Sequence, residues 1–138
     1  MRTLAEIIEG QTPLTLGIAA TVARACRSMR DRGVGAVMVV GKDGRLEGIF
    51  TGRDAVCRVL ADGKLAETTR LADVMTRDPM TARPATSAIE VLRLMRDSGF
   101  RHVPVVEEGR ILGIVSRGDF CGVEIDRLDE EVGVWEKL

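Results

Sequence analysis

The sequence has 138 residues, of which 45% are apolar and 30% charged, ordinary globular usage that can bury a core and is too short for a large multidomain enzyme. Twenty basic against 21 acidic residues leave a net charge of -1, which gives no basic excess to hold a phosphate backbone and argues against nucleic-acid binding. Three Phe, one Trp and no Tyr offer few faces for stacking single-stranded bases.

The elements follow in chain order. Leu4, Ile7 and Ile8 form an apolar stripe behind Thr3 and Glu6, whose spacing fits a capping box, so a short helix opens the chain. Pro13 discourages helix next, and an extended piece is expected at 14–16. An amphipathic helix over 21–32 stops at Gly33. Two β-branched or apolar runs, 36–40 and 46–51, flank Asp43-Gly44, a strong hairpin signal. A helix is expected after Thr51, and residues 63–70 read as a linker.

The second half repeats the plan: a helix from Leu71, an extended piece at 80–82 before Pro84, a helix over 87–98 ending at Gly99, and strands at 103–106 and 111–116 around Glu108-Gly109. In that longer helix Ile89, Leu92 and Met95 recur at the spacing of a buried face. A final helix after Ser116 is expected to pass Leu128 toward Trp135, against the resistance of Gly122 and Gly133.

The halves are an internal repeat. Leu4-Ala5-Glu6-Ile7-Ile8 returns as Leu71-Ala72-Asp73-Val74-Met75, Met29-Arg30-Asp31-Arg32-Gly33 as Met95-Arg96-Asp97-Ser98-Gly99, and Gly48-Ile49-Phe50-Thr51-Gly52-Arg53-Asp54 as Gly113-Ile114-Val115-Ser116-Arg117-Gly118-Asp119. The third pair puts a hydroxyl and a carboxylate three residues apart where a strand turns into a helix. Thr51-x-x-Asp54 and Ser116-x-x-Asp119 both fit a capping box, in which the hydroxyl satisfies an orphan N–H and the acid sits in the first turn. One instance alone would be a cap more often than a site.

Other candidates are few. Cys26, Cys57 and Cys121 lack CxxC spacing and cannot complete a zinc set with the single His102, so no metal is expected. Glu6 and Glu9 interrupt any signal segment, and the uncharged run 11–23 is too short and too polar to cross a bilayer, so a cytoplasmic protein with reduced thiols and no membrane partner is expected. Cys121 reads as a packed helix thiol, and Met29, Met75, Met80 and Met95 as core filler. No nucleophile constellation, metal set or Gly-x4-Gly-Lys loop is present, so catalysis is not expected.

The ordered set of motifs resembles the CBS (cystathionine β-synthase) domain, and the tandem resembles the CBS pair called a Bateman module. Asp73-Val74-Met75-Thr76, Thr81-x-x-Pro84 and His102-Val103-Pro104-Val105-Val106 are typical of a second repeat, and the resemblance covers nearly the whole chain. It implies an α/β (α+β) fold of two β-α-β-β-α repeats packed sheet to sheet with pseudo-twofold symmetry. The repeats would occupy 1–62 and 71–128, joined by the linker 63–70, with a C-terminal extension at 129–138.

The resemblance also implies adenosine-containing ligands in the inter-repeat cleft: AMP, ADP or ATP, with S-adenosylmethionine or NADH as further candidates. By position, Asp54 and Asp119 would accept the ribose hydroxyls, while Thr51 and Ser116 would hold ribose or phosphate. Backbone at 81–83, starting with Thr81, and at 14–16 would border the base. Only the second repeat has Arg101 and His102 where the first has Gly35 and Ala36, so tighter binding is expected there, with Arg101, Arg117, His102 or Arg53 reaching the phosphates. The family implies a homodimer that signals by a change of shape or assembly to an effector protein. The alternative is a scaffold that binds no ligand, whose motifs are helix caps only.

Overall fold

The computed structural model describes residues 2–137, with side chains described as far as Glu130. The fold is mixed α/β, with a four-stranded and a two-stranded sheet, in two compact units that are not contiguous in sequence.

One unit comprises 12–80 with 108–111. Its strand β1 (Thr15–Gly17) lies parallel to β2 (Ala36–Val40), the chain crossing between them through helix α2 (Val22–Arg32). Thr21 caps α2 by accepting the Arg24 N–H, and Gly33 ends it at a φ of 65°, a conformation that a residue with a Cβ resists. β2 returns antiparallel as β3 (Leu46–Thr51) with a register shift at Val39/Val40.

The Asp43-Gly44 connection is longer than the two-residue turn its sequence suggests. Only Gly44 has a positive φ, and Gly41 donates its N–H to the Arg45 carbonyl at 3.0 Å. Helix α3 (Gly52–Asp54) widens without a break into a π-helical segment, Ala55–Leu60. After it come helix α4 (Leu71–Val74) and strand β4 (Thr76–Arg77), which pairs antiparallel with β3. Residues 63–70 do not hang loose, because Ala66 and Thr69 carbonyls accept the N–H groups of Ala23 and Val22, two of the orphan donors at the start of α2.

The other unit comprises 1–11, 81–107 and 112–138. It opens with α1 (Leu4–Ile8), where Thr3 makes no side-chain cap. The expected capping box does not form; the Thr3 backbone instead bridges Ser87. Helix α5 (Ala88–Ser98) is capped by Ser87 and stopped by Gly99 at a φ of 79°. Strands β5 (His102–Glu107) and β6 (Arg110–Ser116) make the second sheet. Their turn uses positive φ at both Glu108 and Gly109, the tight geometry that suits a twisted hairpin.

The extended piece expected at 80–82 is reduced to one parallel bridge between Ala82 and Val105. A 3-10 turn, Arg117–Asp119, follows β6, and an extended Phe120 separates it from α6 (Gly122–Lys137). The helix thus crosses Gly133 and packs on α5 through its earlier turns, with Leu128 buried. Trp135, toward which the last helix was expected to run, lies outside the described side chains. Among the described residues no helix is long and apolar enough to cross a membrane.

Each unit takes its short opening helix from the other repeat. Leu4 and Ile8 are buried with Leu92, Met95, Val103 and Val115 of the second repeat. Leu71, Val74 and Met75 are buried with Met29, Val37, Val39 and Phe50 of the first. The backbone bonds are equally reciprocal: Leu4 and Ala5 donate to Thr86 and Pro84, and Leu71 and Ala72 donate to Ala20 and Ile18. Fully burying a leucine contributes about 1.5–3 kcal/mol, so each exchanged helix is held by its apolar face as well as by these bonds.

The exchange explains the motif glycines. The chain leaving α4 crosses β3 so closely that a Cβ on Gly48 would lie 2.6 Å from Met75 Sδ and 2.8 Å from the Thr76 carbonyl oxygen. At Gly113 a Cβ would meet Gln11 Oε1 at 2.7 Å and Ile8 Cβ at 2.8 Å. There the Gln11 side-chain amide takes the part of a strand, donating to the Ile114 carbonyl and accepting its N–H, both at 2.8 Å.

Candidate functional site

The candidate residues divide between the units. Thr51, Arg53 and Asp54 belong to the unit of β3, and Thr81, Arg101, His102, Ser116, Arg117 and Asp119 to the unit of β5 and β6.

At the first motif Thr51 ends β3, and its N–H and hydroxyl both donate to Asp54 Oδ2, at 3.0 and 3.2 Å. The Asp54 N–H returns to Thr51 Oγ1 at 3.2 Å, completing the capping box. Oδ1 is engaged as well: the Thr76 hydroxyl donates at 3.4 Å, and Arg58 Nε stands 3.6 Å away. Arg58 also donates through Nη1 to the Met75 carbonyl at 3.0 Å. Asp54 is only 8% exposed, so its charge is balanced inside its own unit. Arg53 is exposed and has no side-chain partner among the described residues.

The second motif holds its acid the same way on one oxygen only. Asp119 Oδ2 accepts the Ser116 N–H at 2.7 Å and the Ser116 hydroxyl at 3.2 Å, while Oδ1 has no partner among the described residues. Asp119 is half-buried. The Arg117 N–H donates to the Arg101 carbonyl at 2.9 Å, which brings the two basic residues to neighbouring backbone at the strand ends. Neither guanidinium makes an ion pair or hydrogen bond among the described residues. Thr81 is exposed and one residue before the parallel Ala82–Val105 bridge.

His102 is half-buried, and burial pushes its pKa below the ordinary value. Arg101 lowers it further, against a smaller opposing pull from Asp119. It is therefore neutral at neutral pH and can offer a hydrogen bond there rather than a charge. The helix expected directly after Ser116 is delayed: a three-residue 3-10 turn follows Ser116, and α6 begins only at Gly122.

Arg58 was not among the sequence candidates, although it lies four residues after Asp54 on a helix, the spacing at which opposite charges meet. Nor was the pair formed by Arg2 and Glu124, 2.6 Å apart, which no local pattern announces. Glu124 is buried and also accepts the Cys121 N–H at 2.8 Å. Burial pushes its pKa up, but the bonds from Arg2 and Cys121 and the Arg2 charge outweigh that and leave it below the ordinary range. Arg2 Nη2 also reaches the Asp119 carbonyl at 2.9 Å.

Two expectations are corrected here. Cys121 is an exposed thiol in the residue before α6 rather than a packed helix residue, and its N–H donates to Glu124 Oε1. Met80 is 49% exposed rather than core, lying where the chain passes from one unit to the other. Among the described residues no group of three or more His, Cys, Asp or Glu could hold a metal ion.

Comparison with known proteins matches the CBS domain family at residues 5–60 and 71–125. The CBS domain-containing protein CBSCBSPB2 of Arabidopsis thaliana is 40% identical over 102 residues, covering 74% of this chain and 19% of the relative. The chain spans 18% to 56% of the length of the first curated relatives it matches. A CBS-domain containing protein from Agrobacterium tumefaciens superimposes with a TM-score of 0.79 at 30% identity, over 86% of this chain and 95% of that one. A CBS domain protein from Pyrobaculum aerophilum complexed with AMP gives a TM-score of 0.83 at 21% identity, covering 94% of this chain and 99% of that one.

Proposed function

Because the chain belongs to the CBS-domain family, we propose that it is a regulatory module that binds an adenosine-containing nucleotide, AMP, ADP or ATP, through its second repeat. The observation that carries this reading is the Asp119 carboxylate. One of its oxygens is fixed by Ser116 and the other has no partner among the described residues; Arg117, two positions earlier, is joined through its backbone to Arg101, and neither guanidinium meets an acid among the described residues. A carboxylate held this way accepts from the vicinal hydroxyls of a ribose, and two unpaired guanidiniums supply the forks that phosphate oxygens prefer. Thr81 borders the base and His102, neutral, donates to a phosphate oxygen. That a protein of this fold from Pyrobaculum aerophilum is complexed with AMP agrees with a nucleotide of this size.

The module acts as a cytoplasmic homodimer in this reading, and its ligand signals by favouring one arrangement of the chain over another. A thermal-shift panel of AMP, ADP, ATP, S-adenosylmethionine and NADH tests it. At least one of the five raises the melting temperature in proportion to the logarithm of its concentration. Silence across the panel would point instead to an interaction scaffold in which both hydroxyl–carboxylate turns serve as caps, a use that the completed boxes at Thr51/Asp54 and Ser116/Asp119 already meet.

A further inference from the structure

The two repeats keep the same acid but not the same surroundings. Asp54 Oδ1 has Thr76 and Arg58 against it, whereas Asp119 Oδ1 has neither counterpart. The repeat offset that pairs Thr76 with the first helix places Glu9 at the matching position, and the one that pairs Asp54 with Asp119 places Val123 opposite Arg58. The path of the chain reinforces the difference. Ala55 continues the helix after Asp54, so a residue four positions on folds back over the carboxylate, while the extended Phe120 after Asp119 carries the chain away.

From this we infer that Arg58, with Thr76, occupies the ligand position of the first repeat's carboxylate, so that the chain binds one nucleotide and Arg58 determines that number. The inference rests on the nucleotide reading above. A ribose approaching Asp54 must displace the Thr76 hydroxyl and share a buried carboxylate with a guanidinium that is also tied to the Met75 carbonyl. At Asp119 it meets an oxygen with no partner among the described residues. Arg58 is thus an internal stand-in for the donors a ligand would bring.

Isothermal titration with AMP tests this on the wild-type chain and on Arg58→Val/Thr76→Val, in which valine is the residue the second repeat carries opposite Arg58 and an isostere in β4. One AMP per wild-type chain and a second in the variant is the expected result. Two per wild-type chain overturns the inference without needing any variant, and one in a variant that melts cooperatively overturns the role of Arg58. A wild type that binds none while the variant binds one would sink the Asp119 reading and still support the block at Asp54; no binding by either overturns both. Arg58→Gln, which removes the charge but keeps most of the side chain's length, serves as the second variant should the double substitution fail to fold, and a second AMP there supports the same conclusion.

Discussion

Alanine at Gly48 perturbs one close approach in the folded chain. Its Cβ would stand 2.6 Å from Met75 Sδ, 2.8 Å from the Thr76 carbonyl oxygen and 2.9 Å from Met75 Cγ. Met75 is buried in the first-repeat core, and Thr76 is fixed by its pairing with Ile49, so neither obstacle is a free chain end. Overpacking of this kind costs about 1–3 kcal/mol, and for a chain of this size about 2 kcal/mol lowers the melting temperature by roughly 8 °C.

Gly118→Ala is the matched control, since nothing lies within 4 Å of its added Cβ. Neither glycine has a positive φ, so both substitutions restrict the unfolded chain by a similar amount and the difference between them isolates the steric term. Urea unfolding followed by circular dichroism should give Gly48→Ala a lower midpoint at unchanged slope, about 2 kcal/mol below Gly118→Ala. A gap smaller than about 0.5 kcal/mol would refute the claim that the passage of β4 over Gly48 demands glycine.

Leu4→Ala should cost about 2–5 kcal/mol, because the side chain is fully buried. Hydrogen exchange should lose protection in residues 81–107 rather than in 12–60; the reverse would contradict the exchange of opening helices. His102 sets a pH dependence. Its folded pKa is lowered, so the unfolded chain binds the proton more readily, and stability is full above about pH 6.5 and falls as pH drops through that value. The decline, at most about 1.4 kcal/mol per pH unit from one group, should be shallower in His102→Gln between pH 7.5 and 5.5. An unchanged slope would assign it to other groups.

What the sequence made legible was local. Gly33 and Gly99 end their helices in the left-handed conformation, and Thr21 and Ser87 cap them, because those choices depend on a few neighbouring residues. The strands β2 and β3 fall where β-branched runs place them. The exchange was not legible, since Leu4, Ile7 and Ile8 tell that a face is buried but not against which core, and the repeat makes the two cores equivalent partners on paper. Thr3 fails as a cap for the same reason: its backbone is engaged by Ser87, 84 positions along the chain.

At the site, the strand-to-helix motifs and both acids were visible, but their inequality was attributed to Arg101 and His102. The structure adds a different cause at Asp54, where Thr76 arrives with the exchanged segment and Arg58 arrives through an unbroken helix. The buried Glu124 and its partner Arg2 stand at opposite ends of the sequence, beyond the reach of any local pattern.

Titration of AMP into Asp119→Ala and Asp54→Ala beside the wild type addresses the central claim most directly. Removing the carboxylate that accepts the ribose hydroxyls should cost about 1.5–3 kcal/mol, roughly a 10- to 150-fold rise in Kd. Asp119→Ala should show that loss and Asp54→Ala a change of less than about threefold, within roughly 0.7 kcal/mol. Equal losses in the two variants, or undiminished binding in Asp119→Ala, would contradict the account.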